Sequence, residues 1–418
     1  MPLTVVIRRI FLITLLVLPQ RFWLGSGWRV AGGLQRRAWR VAVKTILVLA
    51  TIAMLSVLSD RIFRKFLPEA VSPWIAPPVQ LWIFTSTFTF FCIKILRAIA
   101  WLCRGLGGIF APGKKHVDCD PTRRSLLRQG ASLLGGAPFI AAIYGYAWER
   151  LRFEVVRIDV PVAGLPPALE GLRIVQLSDI HVGDFMPLDE VHRAVQIANS
   201  LAPHLTVITG DFVTSAGDPL AECIAELGRL KAPLGVWGCN GNHEIYAGAE
   251  ETAEAMFTLQ GMKLLRQAAA QVHCNGESLN LIGIDYQHGV PITGSILPLL
   301  NGAERLVRHD MPNILLSHNP NIFPAAAAAG IELSLAGHTH GGQVNVEILN
   351  KSWSPARFMT DYVAGLYQLP TPASGSSARI ATRGPACLYV NRGLGTLGVP
   401  ARLGANPEIT LLTLRSRL

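Results

Sequence analysis

Short apolar runs in the second half of the chain are each followed at once by Asp, Asn or His. From about Leu151 onward these strand-like runs alternate with helix-like ones, which predicts sheets covered by helices. Ligands of open α/β sheets bind beyond the carboxyl ends of the strands, so polar residues placed there converge on one edge. The polar stretches are LSDIH at 177–181, TGD at 209–211, GCNGNHE at 238–244, SHN at 317–319 and AGHTHGGQ at 336–343. They predict one site built from five strand ends.

The pattern also predicts the individual elements of this α/β region. The predicted strands are Leu172–Leu177, Leu205–Thr209, Leu234–Gly238, Leu279–Ile284, Ile314–Leu316 and Glu332–Ala336. The predicted helices are Leu188–Leu201, Pro219–Leu230 and Glu250–Gly261. The last part, Val344 to Leu414, is predicted to be mainly β, with a polar surface loop at Thr371–Ser377.

The residues at the strand ends are the types that a site for two divalent metal ions requires. Two ions about 3.5 to 4 Å apart need a bridging carboxylate, further carboxylate and imidazole ligands, and room for a water. A single His-x-His is weak evidence, whereas five strand-end motifs with matching chemistry are strong. The histidines outside these motifs are interpreted as structural: His192, His204, His273, His288 and His309.

The first third of the chain reads as a membrane region. Half of all residues are hydrophobic, the mean hydropathy is +0.34 and only 16% are charged, which is too apolar for an ordinary soluble enzyme. Val41–Ser59 carries one charge, at Lys44, and predicts a transmembrane helix; Ala70–Ile95 predicts a second, regular from about Val79 because of the prolines before it. Ile10–Leu18 fits either part of a spanning helix or an interfacial one.

A further segment at 122–147 has two interpretations. Arg123 and Arg124 precede an uncharged stretch, Gln129–Ala147, which is similar to a twin-arginine export signal or to another membrane helix with a basic flank. The basic loops Arg21–Arg40 and Arg97–Arg128 are expected to stay inside. Both interpretations therefore predict a multi-pass protein of the inner, cytoplasmic membrane, with 1–147 holding three to four hydrophobic helices. The catalytic domain, 148–418, is expected on the outer, periplasmic or extracellular face.

The motif series DxH, GD, GNHE, H and GHTHGGQ, in this order, resembles the calcineurin-like metallophosphoesterase superfamily. More narrowly, it is similar to bacterial membrane-associated or twin-arginine-exported phosphodiesterases of that superfamily. The resemblance covers about Leu172 to Leu414 and includes Asn391–Gly395 and Pro407–Ile409. It implies a layered αββα sandwich and two divalent metal ions. Manganese, iron, zinc and nickel are not distinguished by mixed oxygen and nitrogen ligands.

The resemblance also implies a role for each motif residue. Asp179, His181 and His340 would hold the first metal; Asn242, His318 and His338 would hold the second; Asp211 would bridge them. His243 would protonate the leaving alkoxide or steady the phosphoryl oxygens, while Glu244 and Gln343 would orient ligands or shape the rim. From position alone, Asp285 and Tyr286 are candidates for the substrate groove, and Arg392 for a phosphate contact or a surface ion pair.

These features predict a membrane-anchored phosphoesterase, most simply a phosphodiesterase in which a metal-bridging hydroxide attacks phosphorus. A lipid-linked or envelope phosphoester is a hypothesis that rests on the nearby bilayer alone. A metal-dependent nuclease is one alternative, although the catalytic part lacks a long basic stripe interleaved with aromatics, so nucleic acid is not an expected partner. A metal-binding envelope sensor or transport accessory protein without turnover is the other. An additional unliganded acid, His243, favours turnover.

Overall fold

The computed structural model describes residues 3–58, 72–110, 125, 135–287, 300, 302–348, 351–370 and 384–416. Arg123, Arg124 and residues 126–134 of the twin-arginine-like segment, the loop predicted at Thr371–Ser377 and His288 lie outside these residues. Contacts divide the chain into two units. One comprises Met1–Tyr146 with Gly398–Pro400, and the other comprises Ala147–Leu397 with Ala401–Leu418.

The first unit is helical where it is described. It contains α1 (Leu3–Gly32), α2 (Arg37–Leu58) and α3 (Ser72–Phe110). Within the described residues, one stretch, Trp74–Cys103 of α3, is long and apolar enough to cross a membrane, with a mean hydropathy of 1.5. The predicted segments Val41–Ser59 and Ile10–Leu18 fall in α2 and α1, and their crossing of a membrane stays a prediction.

The start of α3 differs from the prediction. The helix begins at Ser72 and contains Pro77 and Pro78, rather than becoming regular only near Val79. A proline fixes φ near the helical value and removes only its own N–H donor, so prolines near the start of a helix are tolerated more easily than those deep inside it. Polar contacts join α3 to α1: the Gln20 side chain donates to Ser86 Oγ (2.8 Å) and accepts from Trp82 Nε1 (3.1 Å).

The second unit contains two six-stranded sheets. The first has the order β1-β14-β2-β3-β4-β5, with β2 to β5 parallel to one another. The second has the order β12-β13-β9-β8-β7-β6, with β13, β9, β8 and β7 parallel. The strands of the first sheet are β1 Glu154–Val162, β2 Arg173–Leu177, β3 Leu205–Thr209, β4 Val236–Cys239, β5 Lys263–Leu264 and β14 Glu408–Ser416. Those of the second are β6 Ala268–Cys274, β7 Glu277–Gly283, β8 Asn313–Leu316, β9 Leu333–Ala336, β12 Gly365–Leu369 and β13 Ala386–Val390. A separate hairpin pairs β10 (Val346–Ile348) with β11 (Lys351–Trp353).

Helices cover the outer face of each sheet. The helices are α4 Leu188–Ser200, α5 Leu220–Leu227, α6 Asn242–Ala247, α7 Glu250–Leu259 and α8 Phe323–Ala329. One buried cluster packs α4, α5 and α7 on the first sheet, and another packs α8 on the second. Between the sheets lies a third cluster, which includes Ile174, Leu205, Leu281, Ile314 and Leu333. The layers are therefore helix, sheet, sheet, helix, and the predicted αββα sandwich is confirmed.

All six predicted strands are present, with bounds that differ by two residues at most. The sequence missed β1, β5 and β6, which all lie at the edges of their sheets. β1 contains Pro161, which is compatible with an edge strand only, and β6 begins Ala-Ala-Ala, which has low β propensity. Edge strands are partly exposed, so they lack the continuous apolar run that marked the central ones.

Candidate metal centre

Five parallel strands from the two sheets deliver their carboxyl ends to one edge. β2, β3 and β4 belong to the first sheet, while β8 and β9 belong to the second. A buried glutamine joins these ends, because Gln176 Nε2 donates to Thr209 Oγ1 (3.0 Å) and to the Ala336 carbonyl (2.9 Å). The residues that follow the strands are thereby held together across the sandwich. They are Asp179 and His181, Asp211, Asn242 and His243, His318, and His338 and His340.

The first group at this edge contains Asp179, His181 and His340. Their side-chain ligand atoms all lie within 4.8 Å of one another, and all three residues are buried. His340 Nε2 is 3.2 Å from His181 Nε2 and 3.4 Å from Asp179 Oδ1. Both oxygens of Asp179 accept the backbone N–H of His338, at 3.0 and 3.1 Å. Three ligand atoms of the kinds that bind divalent transition metals therefore converge on one point.

A second group contains Asp211, His318 and His338, again within 4.8 Å of one another. The His318 ring donates Nδ1–H to the Thr209 carbonyl (2.6 Å), so Nε2 is the nitrogen that can bind a metal once it has lost its proton. That Nε2 is buried and has no hydrogen-bond partner among the described residues, although Asp211 Oδ2 lies 3.0 Å away. The Asn242 Oδ1 is likewise buried and without a hydrogen bond.

Asp211 lies between the two groups. Its Oδ2 is 3.0 Å from His318 Nε2 in the second group and 3.5 Å from His181 Nε2 in the first. Its Oδ1 accepts the backbone N–H of His243 at 2.9 Å, which fixes the orientation of the carboxylate. One carboxylate oxygen thus faces imidazole nitrogens of both groups, which is the geometry that a bridging ligand requires.

His243 lies beside both groups. Its Nδ1 donates to the Thr214 carbonyl (2.6 Å), because a carbonyl oxygen can only accept, and this leaves Nε2 to accept or carry a second proton. The ring makes an edge contact with His181 at 4.8 Å between centroids and one with Tyr246 at 5.5 Å. With His181 and Asp211 it forms a third set of ligand-type atoms within 4.8 Å.

The electrostatics of the centre call for cations. Asp179 and Asp211 are both fully buried, and within the described ranges the only basic side chains within 4.0 Å of their oxygens are histidines. Burial raises the pKa of Asp179 to about 6, with His318 opposing the shift. Burial would also raise the pKa of Asp211, but the neighbouring His318, His181 and His243 hold it below its usual range. Isolated buried carboxylates are expensive, whereas coordination to metal ions compensates them.

The histidines divide into neutral and charged ones in the absence of metal. Burial lowers the pKa of His181 to about 3 and of His338 to about 4, and it lowers the pKa of His340 well below its usual value. His318 behaves oppositely: burial would lower its pKa, but Asp211 and Asp179 raise it to about 10. Three neutral imidazoles, a fourth imidazole that can release its proton, two buried carboxylates and the unbonded Asn242 Oδ1 make a donor set that fits divalent metal ions.

Comparison with known proteins agrees with this geometry. Residues 172–342 match the family described as calcineurin-like phosphoesterase. This segment belongs to that family. Membership makes it a hydrolase of phosphoric esters, as the sequence motifs predicted.

Three relatives of this phosphoesterase show how far the likeness extends. A Bos taurus protein named "Transmembrane protein with metallophosphoesterase domain" is 30% identical over 314 residues, which cover 73% of this chain and 66% of that protein. A Danio rerio protein of the same name is 28% identical over 409 residues, which cover 93% of this chain and 83% of that protein. The Escherichia coli (strain K12) protein named "Phosphodiesterase YaeI" is 27% identical over 255 residues, covering 58% and 82%.

Glu244 of the phosphoesterase fixes the loop that carries Asp211. Its Oε2 accepts the backbone N–H groups of Gly241 (2.7 Å) and Asp211 (2.9 Å), and its Oε1 accepts that of Phe212 (2.7 Å). The carboxylate therefore joins the start of α6 to the turn after β3. This contact positions the loop that carries Asp211.

The other rim residues predicted from the sequence have defined partners. Gln343 exchanges hydrogen bonds with the backbone of Leu397, at 3.0 and 2.5 Å. Asp285 accepts from Asn240 Nδ2 and from Arg266 Nε, both at 2.9 Å. Arg392 pairs with Glu408 (2.5 Å) and Glu154 (3.0 Å), which is the ion-pair alternative rather than a phosphate contact. These contacts place Gln343, Asp285 and Arg392 in loop-to-loop connections around the phosphoesterase centre.

Tyr286 reaches the centre more directly. Its ring lies 5.3 Å from that of His338 and 6.0 Å from that of His318. Burial raises the pKa of its phenol to about 12, with Tyr246 and Asp211 adding to the rise. The neutral Tyr286 ring and the exposed Tyr246 ring, beside His243, therefore contact the histidines of the centre and can form walls for a substrate.

Sequence reasoning missed one fully buried cation near the centre, Arg402. Its guanidinium donates to backbone carbonyls, among them that of His340 (3.3 Å). The residues around it, Ala401 to Ala405, carry no motif. Nothing local distinguishes such an arginine from a surface one, so only the folded arrangement reveals it.

Proposed function

We propose that this phosphoesterase is a membrane-anchored phosphodiesterase whose residues 148–418 form a catalytic domain that holds two divalent metal ions. The position of Asp211 carries the proposal, since its Oδ2 faces ligand-type nitrogens on both sides. The Escherichia coli relative bears the name phosphodiesterase, and the two animal relatives bear the name transmembrane protein. Bacterial membrane-associated phosphodiesterases remain the narrower resemblance of the motif series.

In this proposal Asp179, His181 and His340 hold the first ion, and Asn242, His318 and His338 hold the second, with Asp211 shared. The groups of ligand atoms within 4.8 Å support this division for all of these residues except Asn242, whose unbonded buried Oδ1 supports it separately. Manganese, iron, zinc and nickel all suit this mixture of oxygen and nitrogen donors.

The chain's own residues would prepare and complete the hydrolysis. When bound, the ions would supply an activated water and neutralise charge on the phosphoryl oxygens. Asp211, Glu244 and the Thr209 carbonyl orient the ligands, so little reorganisation is needed as charge develops. His243, held by the Thr214 carbonyl, can deliver a proton from Nε2 to the departing oxygen. The Tyr246 ring beside it can pack against the leaving group.

The membrane part of the proposal depends on α3 and on charge. Trp74–Cys103 can span a bilayer, and the basic loops before Ala147 favour a position of the phosphoesterase unit on the outer face of the inner membrane. A multi-pass arrangement through α1 and α2 belongs to the same proposal. A domain tethered in this way meets phosphoesters of the membrane and envelope at high effective concentration, which favours a lipid-linked substrate.

The decisive experiment uses the full chain, purified in detergent, stripped of metal and reloaded with Mn²⁺. We expect hydrolysis of an aryl phosphodiester to return with metal and to exceed that of an aryl phosphomonoester. The Asp211→Ala variant should lose this activity. The His243→Ala variant should bind both ions yet turn over about 10² to 10⁴ times more slowly.

His273→Ala is the matched control, because His273 is exposed in β6 and bonds only Ser278 within the described chain. It should leave the rate unchanged. Two bound ions with no cleavage of either ester would contradict the phosphodiesterase and favour the sensor alternative. An unchanged rate in the His243→Ala variant would contradict the proposed role of His243 as the proton donor.

A further inference from the structure

A buried arginine, Arg402, lies near the metal centre and forms no salt bridge within the described residues. Arg402 is fully buried and is the largest such side chain among the described residues. Within that part of the chain, no Asp or Glu oxygen lies within 4.0 Å of its guanidinium. Asp179 and Glu408 attract the guanidinium only from beyond this distance, and burying a charge is costly, so its retention calls for a specific set of hydrogen-bond acceptors.

The acceptors are five backbone carbonyls. Nη1 donates to His340 (3.3 Å) and Ala405 (3.0 Å), Nη2 donates to Arg392 (2.8 Å), Gly393 (3.1 Å) and Gly395 (2.5 Å), and Nε donates to Gly395 (3.2 Å). A guanidinium has five N–H donors in a fixed plane, whereas a lysine has three on one atom. The arginine therefore fixes the relative positions of several loops at once.

Two of these connections lead to the first metal group. The His340 carbonyl belongs to one of its ligands. The loop Arg392–Gly395 contacts another, since Gly395 N donates to the Asp179 carbonyl (2.7 Å) and Leu394 N donates to that of Ser178 (3.0 Å). The same loop packs on the turn to His181, because a Cβ added to Gly395 would lie 3.0 Å from His181 Cβ. All three side chains of the first group are thus positioned through the Arg402 carbonyl bonds.

The second group has different supports. His318 is oriented by the Thr209 carbonyl, and Asn242 lies at the start of α6, which Glu244 joins to the Asp211 turn. None of the hydrogen bonds of Arg402 reaches these residues. His318, Asn242 and Asp211 are therefore held by contacts separate from those of Arg402, whereas His338 lies in the same loop as His340 and donates its backbone N–H to the Asp179 carboxylate.

We propose that Arg402 is a positioning residue for the first metal ion and not for the second. The inference rests on the proposed two-metal function and adds to it a support that is specific to one of the two positions. Arg402 acts through the backbones of His340 and Asp179, without touching metal or substrate. Substitution of Arg402 should lower the metal affinity of the first position and leave that of the second position unchanged.

The Arg402→Lys and Arg402→Gln variants of the full chain test this proposal. Their Mn²⁺ binding is measured by titration calorimetry and by the spin coupling between the two bound ions. The His340→Ala and His338→Ala variants identify which binding step belongs to which position. We expect the first-position step to weaken about 10- to 100-fold in both Arg402 variants, as for other groups that orient metal ligands, while the second-position step stays within about threefold. The spin-coupled signal should give way to that of isolated Mn²⁺.

Arg173→Lys is the control, because Arg173 also grips a backbone carbonyl, that of Ala202, but at the opposite end of β2. It should leave both steps unchanged. Equal weakening or loss of both steps in the Arg402 variants, or no weakening of either, would overturn the proposal. The second-position step also reports that a variant is folded. Binding is measured apart from hydrolysis, so a wild type that binds two ions without cleaving esters would count against the proposed function alone.

Discussion

Gly241 offers a direct test of the idea that the bridging carboxylate is held by close packing. It precedes α6 with φ −99° and ψ −169°, a conformation that alanine adopts without strain. A Cβ at this position would lie 2.1 Å from Asp211 Oδ1 and 2.6 Å from Asp211 N. Glycine is required there by contact alone.

The contact sets the size of the effect. Real Cβ contacts are not shorter than 3.0 Å, so Gly241→Ala must move the carboxylate and the Cβ apart by at least 0.9 Å. Overpacking of this kind costs about 1–3 kcal/mol of folding free energy. A misplacement of about 1 Å in a reacting centre can cost about 10²-fold in rate, or about 2.7 kcal/mol of transition-state stabilisation.

The assay is hydrolysis of an aryl phosphodiester by the full chain at saturating Mn²⁺, together with hydrogen exchange of the Asp211 and Phe212 amides. We expect kcat/KM to fall about 100-fold and these amides to exchange faster, because their bonds to Glu244 are disturbed. Gly276→Ala is the control: its φ of +82° makes alanine strained, but nothing lies within 4 Å. It should lose stability and keep its rate. A Gly241→Ala enzyme within about threefold of wild type would refute the packing argument.

Two further predictions concern protons and the substrate. Although burial opposes it, Asp211 and Asp179 raise the pKa of His318 to about 10, so at about pH 8 the metal-free ring is charged and must lose its proton to bind metal. Calorimetry in two buffers of different ionisation enthalpy should therefore show release of about one proton at the second-position step, and no release would contradict the assignment of His318. Tyr246→Ala should raise the KM for an aryl diester about 3- to 10-fold without changing Mn²⁺ stoichiometry, whereas Tyr246→Phe should keep the wild-type KM, because the ring beside His243 supplies the contact. An unchanged KM in the alanine variant would place the leaving group elsewhere.

The central strands could be predicted because their sequences leave few alternatives. Leu205–Thr209 is observed with the predicted bounds, since it is short, apolar, β-branched and fully buried. Once such strands are parallel neighbours, the residues after them must share an edge, and this is why the closeness of Asp179 after β2 and Asp211 after β3 followed from the pattern. The αββα layering followed from the same alternation.

The supports of the site could not be predicted in this way. Arg402 reaches the His340 carbonyl across 62 positions of sequence, and Gln176 reaches the Ala336 carbonyl across 160. These contacts join loops whose approach is decided by the packing of two whole sheets. Arg392 shows the same limit, because a phosphate contact and an ion pair with Glu408 are equally compatible with its local sequence.

Backbone conformation explains why the site residues can also be read as plain turn residues. Asp179, His181, Asp211, His338 and His340 have φ of 48°, 48°, 56°, 75° and 52°, and they are five of the nine non-glycine residues with positive φ in the described chain. Asp and His tolerate this left-handed region better than most residues, although each such position still costs about 1–3 kcal/mol. The turn after each strand therefore selects the same residue types that bind metal. A strained backbone conformation persists only where the surrounding contacts restrain it. The hydrogen bonds of Glu244, of the Arg392–Gly395 loop and of Arg402 restrain the turns that carry the metal-ligand residues.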